Sequence, residues 1–119
     1  MVEQEKILTR GGIYLARLDP AKAAEVGKIR PVAILTSQAI LDIAPPTLFI
    51  CPISSQSQPE FSSLHVMLPS RDNLKIDSYV LVEHCRSISL RRIIFPRLAQ
   101  LTSAEIRLIL HRLQRLVGL

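Results

Sequence analysis

Gly27-Lys28-Ile29-Arg30-Pro31-Val32-Ala33-Ile34-Leu35-Thr36 joins a small, charged lead to a run that carries no charge. The run from Pro31 to Thr36 is short, continuous and apolar, which predicts a central strand buried on both faces. Arg30 stands at its mouth. A guanidinium there has two readings. It can grip a phosphate through two parallel donors while staying protonated. It can equally form an ion pair with Glu25 or an Asp and tie the preceding loop down.

Working outward, Gly12-Ile13-Tyr14-Leu15-Ala16-Arg17-Leu18 reads as a strand that Asp19-Pro20 stops. Residues 19–29 between the two strands read as a loop holding Lys22, Glu25 and Lys28, and residues 1–10 as a polar lead-in with a frayed helical turn. After the central strand, residues 37–46 suit a short helix closed by Pro45-Pro46, and Thr47 to Ile53 form another apolar strand. Ser54-Ser55-Gln56-Ser57-Gln58-Pro59 is a polar loop. Leu64, Val66 and Leu68 alternate with His65 and Met67, which predicts a half-buried strand with the latter pair outward. Asp72-Asn73 marks a turn, and Tyr79 opens a strand that could run to Ile88.

The last element is the clearest. Thr102-Ser103-Ala104-Glu105 has the form of a capping box, and Ile106, Ile109, Leu110, Leu113, Leu116 and Val117 follow at helical spacing. Gly118 suits the position just past the helix end. Leu108 adds apolar surface outside the main stripe and suggests a second buried face, such as a dimer contact. About five strands and a terminal helix imply an α+β domain on a small, curled antiparallel sheet. At 119 residues the chain fits a single domain.

Composition narrows the function. Hydrophobic residues make up 48% of the chain, which excludes a disordered protein, and aromatics only 4% with no Trp, which excludes a platform of stacked rings for nucleic acid. The net charge of +5 lies wholly in residues 61–119, with nine Lys/Arg against four Asp/Glu, while residues 1–60 balance at six and six. A basic half attracts polyanions or an acidic partner. Cys51 and Cys85 lack metal-site spacing. A disulfide is open to them, but two reduced, buried thiols of a cytoplasmic protein are the preferred reading. No leader pattern and no membrane-spanning run is visible.

No phosphate-binding loop, dinucleotide fingerprint or metalloprotease motif occurs. His65, His84 and His111 are scattered and read as structural or exposed rather than as metal ligands. A cofactor-free, metal-independent mechanism is therefore the default for an enzyme. The candidate chemistry lies in the loop ending at Arg30 and the polar segment beginning at Ser54, since loops mounted on a rigid sheet carry most sites.

In order along the chain, five blocks resemble the MazF/PemK toxins of bacterial toxin–antitoxin pairs. They are Arg10 to Leu15; Leu18 to Lys22 with Glu25 and Gly27 to Val32; Pro52-Ile53-Ser54-Ser55-Gln56; Asp77 to Leu81 with Glu83 and Arg86-Ser87-Ile88; and Thr102 to Glu105 with the closing Leu116 to Leu119. The resemblance implies an SH3-like β-barrel of about five to seven antiparallel strands with a C-terminal helix, usually a homodimer. It implies a metal-independent endoribonuclease that cuts single-stranded RNA and is held in check by a cognate antitoxin. It assigns Arg30, Ser54, Glu25 and Glu83 to catalysis, and Lys22, Lys28, Gln56 and Arg86 to substrate binding.

The chemistry is consistent with that assignment. RNA brings its own nucleophile, the 2′-hydroxyl, and cleavage leaves a 2′,3′-cyclic phosphate and a 5′-hydroxyl. The protein must supply a base, an acid and cationic donors. Arg30 stabilises charge, Glu25 or Glu83 is the better base by residue type, and Ser54 donates to a phosphate oxygen. Lys22, Lys28 and Arg86 hold flanking phosphates. The chain departs from the family where Ser54 replaces Thr, Ala23-Ala24 replaces a Gly-Ser pair, Val26 and His84 replace Gln, and Ser89-Leu90 replaces Asp-Lys. His84 then reads as a spacer with a hydrogen bond, with an added acid–base group as the alternative. The alternative functions are a gyrase-inhibiting module on the same barrel and an inactive relative that binds only antitoxin or RNA.

Overall fold

A computed structural model describes residues 7–19 and 28–119. The run that follows Arg30 forms β2 (Ile29–Ile34), and it lies inside the sheet as its apolar character requires. On one side it pairs antiparallel with β1 (Gly12–Arg17), on the other with β3 (Thr47–Ser54). Its two faces feed two cores. Ala33 joins Ile13, Cys51, Ile53 and Val80 beneath the C-terminal helix, whereas Val32 and Ile34 join Tyr14, Leu48, Ile50 and Ile88. Burial on both faces removes the polar alternation of a half-exposed strand and explains the unbroken apolar run.

Between β2 and β3 the expected short helix is a single turn, α1 (Gln38–Leu41), capped by the Ser37 side chain accepting from the Ile40 N–H. Beyond β3 come β4 (His65–Leu68) and β5 (Ser78–Leu81), then β6 (Arg86–Ser89) and β7 (Ile93–Gln100). All seven strands belong to one sheet in the order β4-β5-β3-β2-β1-β7, with β6 also on β3. The barrel is therefore an open one, because β4 and β7 do not pair as strands. The turn between β4 and β5 spans the gap, its Asn73 N–H donating to the Leu98 carbonyl of β7 at 3.0 Å.

Three expectations change. The strand foreseen from Tyr79 to Ile88 is interrupted by a 3-10 turn, Val82–His84. The turn lets the chain leave its pairing with Ile53 and Ser54 and rejoin β3 at Ile50, so one edge of β3 holds two short strands. His65 is buried rather than outward, because its Nε2 meets Glu83 Oε2 at 2.7 Å; only Met67, 55% exposed, keeps the outward position. Cys51 and Cys85 are joined as a disulfide instead of remaining free thiols. The register accounts for it: Ile50 faces Arg86, so the next residue of β3 and the one before Arg86 face each other too. The strand β7 was not foreseen.

α2 (Ser103–Leu116) packs Ile109, fully buried, into the core beneath it. Its capping box is present in both halves, Glu105 N–H to Thr102 Oγ1 at 3.1 Å and Thr102 N–H to Glu105 Oε1 at 2.9 Å. Gly11 faces the same helix at φ +80°, and a Cβ there would stand 2.6 Å from Ile106 Cδ1. Only glycine allows both that backbone and that approach.

Candidate active site

The pairing of β2 with β3 runs from Ile34↔Ile50 to Val32↔Pro52. Carried on past the last ladder pair, the same register sets Arg30 opposite Ser54. Directly opposed residues present their side chains on one face, so the sheet itself brings the guanidinium and the hydroxyl together. Both are half-buried. Two clefts meet there, and Arg30, Ser54 and Ser55 line both. One, of about 390 Å³, runs under the β4–β5 turn past Asn73, Lys75 and Ile76 over an apolar floor that includes Leu15 and Leu98. The other, of about 270 Å³, runs past Gln56, Gln58, Leu81 and His84.

Local hydrogen bonds prepare these groups. Ser54 Oγ accepts from the Gln56 N–H at 3.1 Å, which turns the polar loop back on itself and leaves the hydroxyl proton able to donate to a bound anion. The start of β2 is anchored as well. The Leu18 N–H donates to the Lys28 carbonyl at 2.7 Å, and the Lys28 N–H to Asp19 Oδ1 at 2.7 Å. Arg92 Nη1 adds a bond to the Arg17 carbonyl at 2.9 Å. Lys28 is itself exposed, with φ +66°.

The other candidates divide. Gln56 lines the smaller cleft, as its assignment requires. Glu25 and Lys22 lie outside the described residues. Glu83 lines neither cleft: Oε2 is held by His65, and Oε1 is buried with no hydrogen-bond partner among the described residues. Arg86 is opposite Ile50 on β3 and also lines neither cleft, and its Nη1 is buried without a partner among the described residues. Among the described residues no three His, Cys, Asp or Glu side chains gather as metal ligands.

Residues 9–117 match the family model of PemK-like, MazF-like toxins of type II toxin–antitoxin systems. The chain belongs to this family. It is 31% identical over 88 residues to the endoribonuclease MazF of Staphylococcus saprophyticus, a match covering 73% of this chain and 72% of that one. The crystal structure of MazF from Deinococcus radiodurans superposes with a TM-score of 0.80 at 23% identity, covering 95% of this chain and 98% of the other. A MazE–MazF structure from the same organism gives 0.73 at 24% identity, covering 95% and 97%.

In this PemK/MazF-like toxin two further groups, Lys75 and His84, line the clefts beside the assigned residues. Lys75 enters the larger cleft because the Asn73–Leu98 bond draws its turn over β7, a contact between distant segments with no local signature. His84 enters the smaller one because of the orientation of its 3-10 turn. Away from the site, the basic end of the β4–β5 turn is locked. Arg71 donates from Nη1 and Nη2 to the two oxygens of Glu105 at 2.5 and 2.6 Å. Those bonds, with the backbone N–H of Thr102, hold the Glu105 carboxyl below its ordinary range and raise Arg71.

Proposed function

We propose that this PemK/MazF-like toxin is an endoribonuclease that cleaves single-stranded RNA without a metal ion, as a single domain acting in the cytoplasm. The observation that carries the reading is the lining of the two clefts. Arg30, Lys75 and His84 line them, and among the described residues no carboxylate does. Such a channel suits a polyanion. The hydroxyl of Ser54 and the guanidinium of Arg30, side by side at its centre, suit the crowded phosphorus of a phosphodiester under attack.

Arg30 stabilises the developing charge, and Ser54 donates to a non-bridging oxygen. Gln56 contacts the flanking nucleotide, and Lys22 and Lys28 bind phosphates along the strand, with Arg86, which lines neither cleft, reserved for a phosphate beyond them. Glu25 and Glu83 are the carboxylates assigned to catalysis. Attack by the 2′-hydroxyl expels the 5′-oxygen and leaves a 2′,3′-cyclic phosphate. The name of the Staphylococcus relative supports the activity, and the MazE–MazF structure supports a cognate antitoxin as partner. A homodimer is supported by α2, where Leu108 and Leu116 remain exposed at 40% and 41%.

Purified protein incubated with mixed-sequence single-stranded RNA in excess EDTA tests the reading. Cleavage is expected, and Arg30→Ala lowers it by roughly 10²–10³-fold, the loss typical of removing one transition-state donor. Intact RNA after incubation with folded parent protein would refute the nuclease reading. Cleavage that stops in EDTA would refute the metal-free mechanism.

A further inference from the structure

The RNA-cleaving reading needs a group to remove the 2′-hydroxyl proton. Glu83 is poorly placed for it, with one oxygen on His65 at 2.7 Å and the other buried. The cause is the 3-10 turn Val82–His84. At three residues per turn, successive side chains point about 120° apart. With Glu83 turned toward β4, its neighbour faces elsewhere, and His84 lines the cleft with Arg30 and Ser54. The imidazole is half-buried and makes no hydrogen bond to any described residue, so both ring nitrogens remain able to meet a substrate.

Building on the proposed function, we infer that His84 is the general base of this toxin, in place of the neighbouring carboxylate. Its neutral imidazole takes the proton of the 2′-hydroxyl as that oxygen bonds to phosphorus. The P–O5′ bond breaks, its electron pair leaves on the 5′-oxygen, and that oxygen takes a proton from water. The imidazolium returns its proton to the hydroxide so formed. Arg30 and Ser54 hold the phosphate throughout. Histidine suits the task because a neutral imidazole can both accept a proton and return it. Among the described residues, Arg30 lines the same cleft from β2, the serines and glutamines from the end of β3 onward are neutral, Glu83 and His65 form a pair with each other, and α2, which packs against the turn, carries Arg107, His111, Arg112 and Arg115.

The test is the pH dependence of cleavage by parent, His84→Gln and His84→Ala protein. Affinity for an RNA carrying a 2′-deoxy residue at the cleavage position is measured in parallel. His84→Gln is expected to lower kcat by roughly 10²–10⁴-fold and to abolish the fall in rate that the parent shows below neutral pH. Affinity for the uncleavable RNA stays within a few-fold, and added imidazole restores part of the His84→Ala rate. A variant that keeps the parent's kcat and pH profile overturns the inference alone, leaving the nuclease reading intact. So does a defect confined to KM and affinity. A parent protein that leaves RNA whole overturns the underlying reading and the inference together.

Discussion

The helix-covered side of the sheet and its open end at Arg30 and Ser54 are built on opposite terms. Under α2 apolar groups are sealed and a cap and an ion pair are closed: Ile109 is fully buried, Thr102 and Glu105 cap each other, and Arg71 binds both oxygens of Glu105. At the open end a guanidinium, a hydroxyl and an imidazole border clefts that no described carboxylate enters. The same strand, β3, serves both. Cys51 and Ile53 point into the core below α2, and the chain ends its pairing at Ser54. Stability and chemistry are thus held in different regions, and substitutions should separate them.

The largest separation is expected at Ile109. Ile109→Ala leaves a cavity beneath α2 and should lower unfolding free energy by about 2–5 kcal/mol. Turnover per folded molecule should hardly change, as read from denaturant titration beside an RNA cleavage assay. A matching loss of kcat would break the comparison, because it would tie the helix to the site. Ser54→Ala tests the opposite corner. Cleavage should fall by roughly 10²-fold with an unchanged melting temperature, while Ser54→Thr, which keeps the hydroxyl, retains activity.

A smaller effect is expected from Glu105→Gln, about 1–2 kcal/mol at neutral pH. Its pH dependence has a definite sign. The carboxyl is held low by Arg71, so its contribution is complete above the ordinary carboxylate range. That contribution disappears as pH falls through the lowered value. The variant's stability should therefore decline less steeply in acid than the parent's. Parallel acid limbs would show that the pair does not couple folding to protons.

The two regions also differed in how far the sequence revealed them. α2 was legible to the residue because its code is local. A cap, a partner three residues on and a stripe at helical spacing all lie within one element. The β2 strand was legible because burial on both faces leaves an unbroken apolar run. β7 was not, since Ile93 and Ala99 alone are buried along it, Phe95-Pro96 breaks any period, and its partner β1 lies some eighty residues away. At the site, Arg30 and Ser54 were found from the order of short motifs. Lys75 was not, and His84 was read as a spacer in preference to an acid–base group, because cleft membership depends on how a 3-10 turn is rotated and where a distant turn is bonded. Glu83, by contrast, was assigned from its place in a motif, and a buried histidine on another strand takes up one of its oxygens.

The Cys51–Cys85 bond gives the open end a connectivity of its own. The two cysteines are 34 positions apart, and the backbone between them, closed by sulfur, is a covalent ring. Ser54, Gln56, Lys75 and His84 all belong to that ring, and Arg30 reaches it from outside. A single cut in the polar loop after Ser54 would linearise the ring without releasing either piece. The cleft walls would stay tethered at the point where β3 meets the His84 turn.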